Sequence, residues 1–242
     1  MIVHGAFQSA AVWSGVKRRL EAAGHPVLLV ELPGRSGNPC AAEQVSLDAH
    51  RDCALAAVSR FSEPVILVGH SLGGMTISAV AEAVPEQIHA LVYVAAYLPE
   101  SGQSARDLSA QDAQSRWNDK NFIIAADRQT ARVSADDCVM LFGEDLEPQL
   151  QRALPGLLVD EPLAPIRTPV HLTPQRFGRV GKFYIKTLHD NTIGPELQDR
   201  MAARAGVTKM FALDGSHSPY LSRPDELAQL LLFCSAATPD QR

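Results

Sequence analysis

Apolar positions along the chain follow two rhythms. "HPVLLVEL" (25–32) and "PVILVG" (64–69) are nearly continuous branched runs, as in strands buried on both faces. "IHALVYVAAY" (88–97) and "KFYIKT" (182–187) read the same way, and "TKMFAL" (208–213) is a weaker version. Between them, "AVWSGVKRRLEAAG" (11–24), "SLDAHRDCALAAVSRF" (46–61) and "GGMTISAVAEAVPEQ" (73–87) repeat apolar residues at helical spacing. Gly24 suits the position just past a helix end, and Pro85 closes the third helix. Strands alternating with helices predict an α/β fold, a mostly parallel sheet flanked by helices on both faces. No internal repeat or low-complexity tract interrupts the pattern.

Residues 100–181 break the rhythm. They are more polar, and prolines at 148, 155, 162, 165, 169 and 174 are expected to prevent long regular elements. The segment reads as a lid or cap and its return connection, inserted after the strand near residues 90–97. A short hairpin and a few helices are expected within it. Residues 1–99 and 182–242 then make the core domain. Connections beyond about 15 residues in compact domains usually carry a function or are disordered.

The run "VILVGHSLGGMTISAV" (65–80) breaks from strand into helix at Gly69-His70-Ser71-Leu72-Gly73. A serine boxed by glycines between strand and helix is the context in which a G-x-S-x-G sequence presents a nucleophile. The turn is sharp and strained, leaving no room for neighbouring side chains. The helix that follows aims N–H groups and a positive dipole end at developing negative charge. The plain alternative is a glycine-rich turn with a solvated serine.

A serine hydroxyl needs a base, and the base needs an acid to orient it. On such a turn both partners follow the serine in the chain. His217, in "ALDGSHSPYLSRPDELAQLLLF", lies where a strand gives way to a loop and then a helix, and is the expected base. Asp190 in "YIKTLHDNTIGPE" has the same setting and is the expected acid, with Asp214 the runner-up. His189 lies beside that acid rather than opposite it. His89 and His171 fit a strand start and the inserted segment. An oxyanion hole is expected from the backbone N–H groups of Ala6, in the strand-end loop "IVHGAF", and Leu72. His4 in that loop reads as a structural hydrogen-bonding residue. Phe7, Trp13, Met75, Trp117, Phe122, Leu141 and Phe142 are candidates for an apolar pocket wall, each equally readable as plain core. Tyr220 either faces the site or caps the last helix.

Composition narrows the class. The 242 residues, 46% hydrophobic and 20% charged, suit one globular domain with a sizeable core. A net charge of −5 argues against nucleic-acid or anionic-membrane partners. The four cysteines have no metal-ligand or CxxC spacing, so no metal is expected. No apolar run approaches the ~20 residues of a membrane span. "MIVHGAFQSA" lacks signal-peptide character, which makes a cytoplasmic location the expectation. A homodimer is the one assembly kept open.

With these positions in place, the chain resembles the α/β-hydrolase subgroup of plant methylesterases, plant hydroxynitrile lyases and their bacterial esterase relatives. The matching stretches are "VHGAF" with Trp13, "LEAAGHPVLLVELPG", "VILVGHSLGGM", "LVYVAAYLP", "RFGRVGKFYIKTLHDNTI" and "DGSHSPYLSRPDELAQLL". They cover roughly residues 1–100 and 160–235, with the inserted segment matching least. By position, the subgroup's triad falls on Ser71, Asp190 and His217, and its oxyanion donors on Ala6 and Leu72. The resemblance implies a serine carboxylesterase that cleaves small to medium apolar esters through an acyl-enzyme on Ser71, with no cofactor. Two alternatives stand beside it: a carbon–carbon lyase of the hydroxynitrile kind, and a hydrolase-fold ligand receptor with slow turnover. Hydroxynitrile lyases carry Thr or Asn where this chain has Gly5. One branch has Cys and Lys where it has Leu72 and Ser218.

Overall fold

The computed structural model describes residues 1–237. Its strands are β1 (Ile2–Val3), β2 (Leu29–Val30), β3 (Val65–His70), β4 (Ile88–Val94), β5 (Phe122–Ile124), β6 (Thr130–Val133), β7 (Glu161–Pro162), β8 (Lys182–Thr187) and β9 (Lys209–Leu213). Its α-helices are α1 (Ser14–Ala22), α2 (Leu47–Val58), α3 (Gly73–Ala83), α4 (Ala105–Ser109), α5 (Cys138–Phe142), α6 (Pro148–Leu157), α7 (Ala164–Arg167), α8 (Pro195–Arg204), α9 (Pro219–Ser222) and α10 (Pro224–Ala236). Six strands form one sheet in the order β2-β1-β3-β4-β8-β9, every neighbouring pair parallel.

The continuous apolar runs have a direct physical cause. Successive side chains of a strand point to opposite faces, so a strand covered on both sides needs apolar residues throughout. On β4, Leu91 and Tyr93 join the core cluster that holds Met75, Ile77 and Leu197, under α2, α3 and α8. Ala90, Val92 and Val94 join the other, with Trp13, Val16 and Leu227 under α1 and α10. Residues Tyr184 and Phe183 of β8 divide in the same way.

Several predicted elements change length. The run 25–32 keeps only Leu29–Val30 as strand. It is an edge strand whose one partner, β1, has two residues, and Pro26 has no N–H to offer a ladder. The first helix opens with a 3-10 turn, Ala10–Trp13, and ends before Gly24, whose φ of 87° closes it. Helix α3 stops at Ala83, and Pro85 begins a 3-10 turn.

Residues 122–162 include a second, antiparallel sheet in the order β5-β6-β7. The prolines in this region interrupt less than expected. Pro148 opens the ten-residue α6, where its missing N–H costs nothing, and Pro155 falls in the last turn, so the helix ends rather than splits. A third apolar cluster, with Phe7, Leu141, Phe142, Leu154 and Leu163, joins this region to the loop after β1.

Candidate active site

Ser71 sits between the end of β3 and the start of α3 with φ = 52°, a left-handed conformation that costs a non-glycine residue of order 1–3 kcal/mol. The glycines around it answer a steric demand. A Cβ on Gly69 would lie 2.9 Å from the Gly73 carbonyl oxygen, and one on Gly73 would lie 2.7 Å from that of Val3. A Cβ on Gly74 would lie 2.1 Å from the Tyr97 oxygen. The helix start is therefore pressed against the end of β1 and the segment just after β4. The strain falls on the serine, and the glycines allow the close approach.

The loop after β1 comes up beside Ser71. A Cβ on Gly5 would meet Ser71 Cβ at 2.7 Å and His70 Nδ1 at 2.8 Å. Among the described residues neither the Ala6 nor the Leu72 N–H donates a hydrogen bond, and both residues line a cavity together with Ser71. Phe7 follows with φ = 61°. A buried ion pair secures this loop. Glu161 of β7 accepts from the Phe7 N–H at 2.7 Å, while Arg35 donates to the Gln8 carbonyl at 2.6 Å and to the Glu161 carboxylate. Both side chains are essentially inaccessible. Burial raises the Glu161 pKa, with Arg35 and the Phe7 N–H opposing the rise. The pair escaped the sequence reading because its members lie 126 residues apart.

Asp190 follows β8 and His217 follows β9, so both stand at the same sheet edge as Ser71. His217 Nδ1 and Asp190 Oδ2 are 2.8 Å apart, both side chains fully buried. The Asp190 carboxylate also accepts from the Thr192 and Ile193 N–H groups, at 2.8 and 2.9 Å. Thr187 Oγ1 and Gln198 Nε2 donate to its other oxygen, at 2.9 and 3.3 Å. Among these supports, the turn after Asp190 was detectable in sequence, in the "DNTIGP" pattern. Asp214 instead pairs with His189 at 2.8 Å, both exposed, which removes it as partner of His217. His70 holds the base from behind, its Nε2 2.8 Å from the His217 carbonyl. His217 Nε2 is buried without a hydrogen-bond partner, so Ser71 and His217 are not yet joined. Such bonds are often long without substrate and tighten in the complex.

Three buried histidines near this edge are held neutral. Burial, with Arg35 nearby, lowers the pKa of His4 to about 3 and that of His50 to about 3. His70 is held well below its usual value by burial and by His217. His4 Nε2 accepts from the Leu32 N–H at 3.2 Å, which leaves the proton on Nδ1 to donate to the Gly5 carbonyl at 2.8 Å. The expected structural role of His4 thus lies in bracing the loop. Unfolding frees these imidazoles to bind protons below their ordinary pKa of about 6.5. The folded state is therefore favoured fully above that pH. For His4 and His50 it loses about 1.4 kcal/mol per pH unit each as pH falls from 6.5 toward 3. Melting temperatures across this range are expected to fall steeply with acid. A flat profile would contradict neutral burial.

The cavity above Ser71 has a volume of about 520 Å³. Of the wall candidates, Phe7, Trp117, Phe122 and Phe142 line it. The other wall candidates are core. Trp13 and Tyr220 meet at 4.8 Å between ring centres and pack on His70, Met75 points from α3 into the core, and Leu141 belongs to the cluster joining the loop to α5 and α6. Tyr220 donates to Ser218 Oγ at 3.0 Å rather than facing the site. Helical and aromatic character did not tell wall from core, because both are apolar. Tyr97, Leu163, Ile166 and Thr192 also line the cavity and were not singled out. Among the described residues no group of His, Cys, Asp and Glu could hold a metal ion, and no helix is long and apolar enough to cross a membrane.

A parallel sheet with a strained serine between strand and helix, and a His–Asp pair at the same edge, defines a hydrolase-type scaffold. The comparisons agree at the level of family: residues 1–230 match the α/β hydrolase family, and the chain belongs to it. It is 30% identical over 97% of its length to "Putative methylesterase 13, chloroplastic" of Arabidopsis thaliana, but spans only 55% of that protein. It is 29% identical to "Salicylic acid-binding protein 2" of Nicotiana tabacum, covering 96% of this chain and 95% of that one. A crystal structure of a pyrethroid hydrolase from Sphingobium faniae superposes with a TM-score of 0.85 at 22% identity, covering 98% of this chain and 96% of that one. At that identity the likeness speaks for the fold.

Proposed function

We propose that the protein is a carboxylic ester hydrolase whose nucleophile is Ser71, with His217 as base and Asp190 as its orienting acid. The observation that carries this reading is the meeting, at one sheet edge, of Ser71, two undonated N–H groups and the buried His217–Asp190 pair. The methylesterase name of its relative at 30% identity supports it. Ser71 Oγ bonds to the ester carbonyl carbon while its proton passes to His217 Nε2. The carbonyl oxygen becomes an oxyanion that accepts from the Ala6 and Leu72 N–H groups, each such donor being worth about 10²–10³ in rate. Asp190 keeps the His217 proton on Nδ1 and stabilises the imidazolium. Collapse breaks the ester C–O bond, and the departing alcohol takes the proton from Nε2. Water then gives a proton to His217 Nε2 as its oxygen bonds to the acyl carbon, and collapse breaks the bond to Ser71, whose Oγ takes that proton as the acid leaves. Residues 100–181 act as a lid over the core formed by 1–99 and 182–242, although residues 238–242 lie outside the described structure.

Gly5 weighs against the lyase alternative. That chemistry calls for a polar group near the reacting carbon, and a side chain at position 5 would collide with Ser71 and His70. Short p-nitrophenyl and methyl esters, varied separately in acyl and alcohol part, are expected to be hydrolysed. Mandelonitrile is expected to release no cyanide above the uncatalysed rate. Cyanide release faster than hydrolysis of every ester tried would overturn the assignment.

A further inference from the structure

The cavity over Ser71 carries a charge asymmetry that ester hydrolysis does not itself require. Its wall is mostly aromatic and aliphatic, and among the described residues the only charged ones lining it are Arg106, Arg128 and Arg167. All three are exposed, and they come from separate elements: α4, the turn between β5 and β6, and α7. Arg128 is held there with φ = 62°. Among the described residues no Asp or Glu lines the cavity. The neighbouring carboxylates are engaged locally. Asp107 closes a capping box with Ser104, and Asp127 accepts from the Gln129 N–H at 3.0 Å. Other arginines are differently placed: Arg19, Arg35 and Arg51 each hold a carboxylate. A chain with net charge −5 thus lines the cavity at Ser71 with guanidinium groups.

We infer that the cavity takes esters that carry a carboxylate at the end remote from the scissile bond, joined by an apolar stretch. The inference rests on the esterase reading and adds the substrate class. Guanidinium groups match carboxylate geometry with paired N–H donors. The aromatic wall would hold the apolar middle, leaving the ester at Ser71 and the carboxylate among the arginines. A half-ester of a medium-chain dicarboxylic acid has this form.

The test separates binding from turnover. Monomethyl suberate and its neutral counterpart dimethyl suberate are titrated into the Ser71→Ala protein, followed by tryptophan fluorescence, since Trp117 lines the cavity. The half-ester is expected to bind about 10-fold more tightly at low ionic strength, with the advantage shrinking in ~0.5 M salt. Arg106→Gln, Arg128→Gln and Arg167→Gln together should abolish the preference, with melting temperature reporting on folding. Equal dissociation constants for the two esters, or a preference that survives the triple substitution, would overturn the inference. Wild-type hydrolysis of dimethyl suberate is read separately: its absence, with the binding preference intact, would count against the esterase reading and leave the anion-selective cavity standing.

Discussion

Replacing Ser71 with alanine is expected to lower kcat for any hydrolysed ester by about 10⁶, the scale found when a triad serine is removed. The fold has little reason to notice. Among the described residues Ser71 Oγ makes no hydrogen bond, and its carbonyl still accepts from the Gly74 and Tyr97 N–H groups, each at 3.1 Å. The melting temperature should therefore change little. Removing His217 as well should cost almost nothing more, because nucleophile and base act as one unit. A multiplicative loss in the double variant would mean that the two residues work independently. That would contradict a shared proton transfer. Near-normal activity in Ser71→Ala would place the chemistry elsewhere.

Arg35→Met is expected to have the second largest effect, and on stability first. The substitution leaves the Glu161 carboxylate buried without its cation, which typically costs about 3–5 kcal/mol. Adding Glu161→Met should recover much of that loss, since a buried pair can be exchanged for packed apolar side chains at little net cost. Activity should not recover with it. The Phe7 N–H and the Gln8 carbonyl would both lose their partners, and the strained loop that presents the Ala6 N–H would be released. Loss of one oxyanion donor predicts kcat lower by about 10²–10³ at restored melting temperature. A double variant that regains full kcat would show that Arg35 and Glu161 serve the fold and do not position the loop.

The parts of the molecule legible in its sequence are those whose causes are local. Continuous branched runs at 64–69 and 182–187 read as buried strands because each strand meets helices on both faces. The glycines at 69 and 73 read as a tight strand-to-helix turn because a Cβ at either would strike backbone. Asp190 and His217 were placed by the rule that strand ends carry function in parallel sheets. Loop position and the family resemblance both favour Asp190 over Asp214, and the 2.8 Å contacts to His217 and to His189 distinguish the two acids. What stayed illegible depends on distant parts of the chain. Trp13 and Tyr220 are as apolar as Trp117, but they fall beneath the sheet edge and pack on each other. The Arg35–Glu161 pair joins the loop after β2 to β7, and no pattern near either residue announces the other.

Acid-quenched peptide mapping after rapid mixing with p-nitrophenyl acetate tests the central claim most directly. An acetyl group is predicted on the peptide containing Ser71, formed as the nitrophenolate burst appears and lost as turnover proceeds. The same peptide from the Ser71→Ala protein should remain unmodified. A burst with the acetyl group on another residue, or ester hydrolysis that persists unchanged in Ser71→Ala, would contradict it.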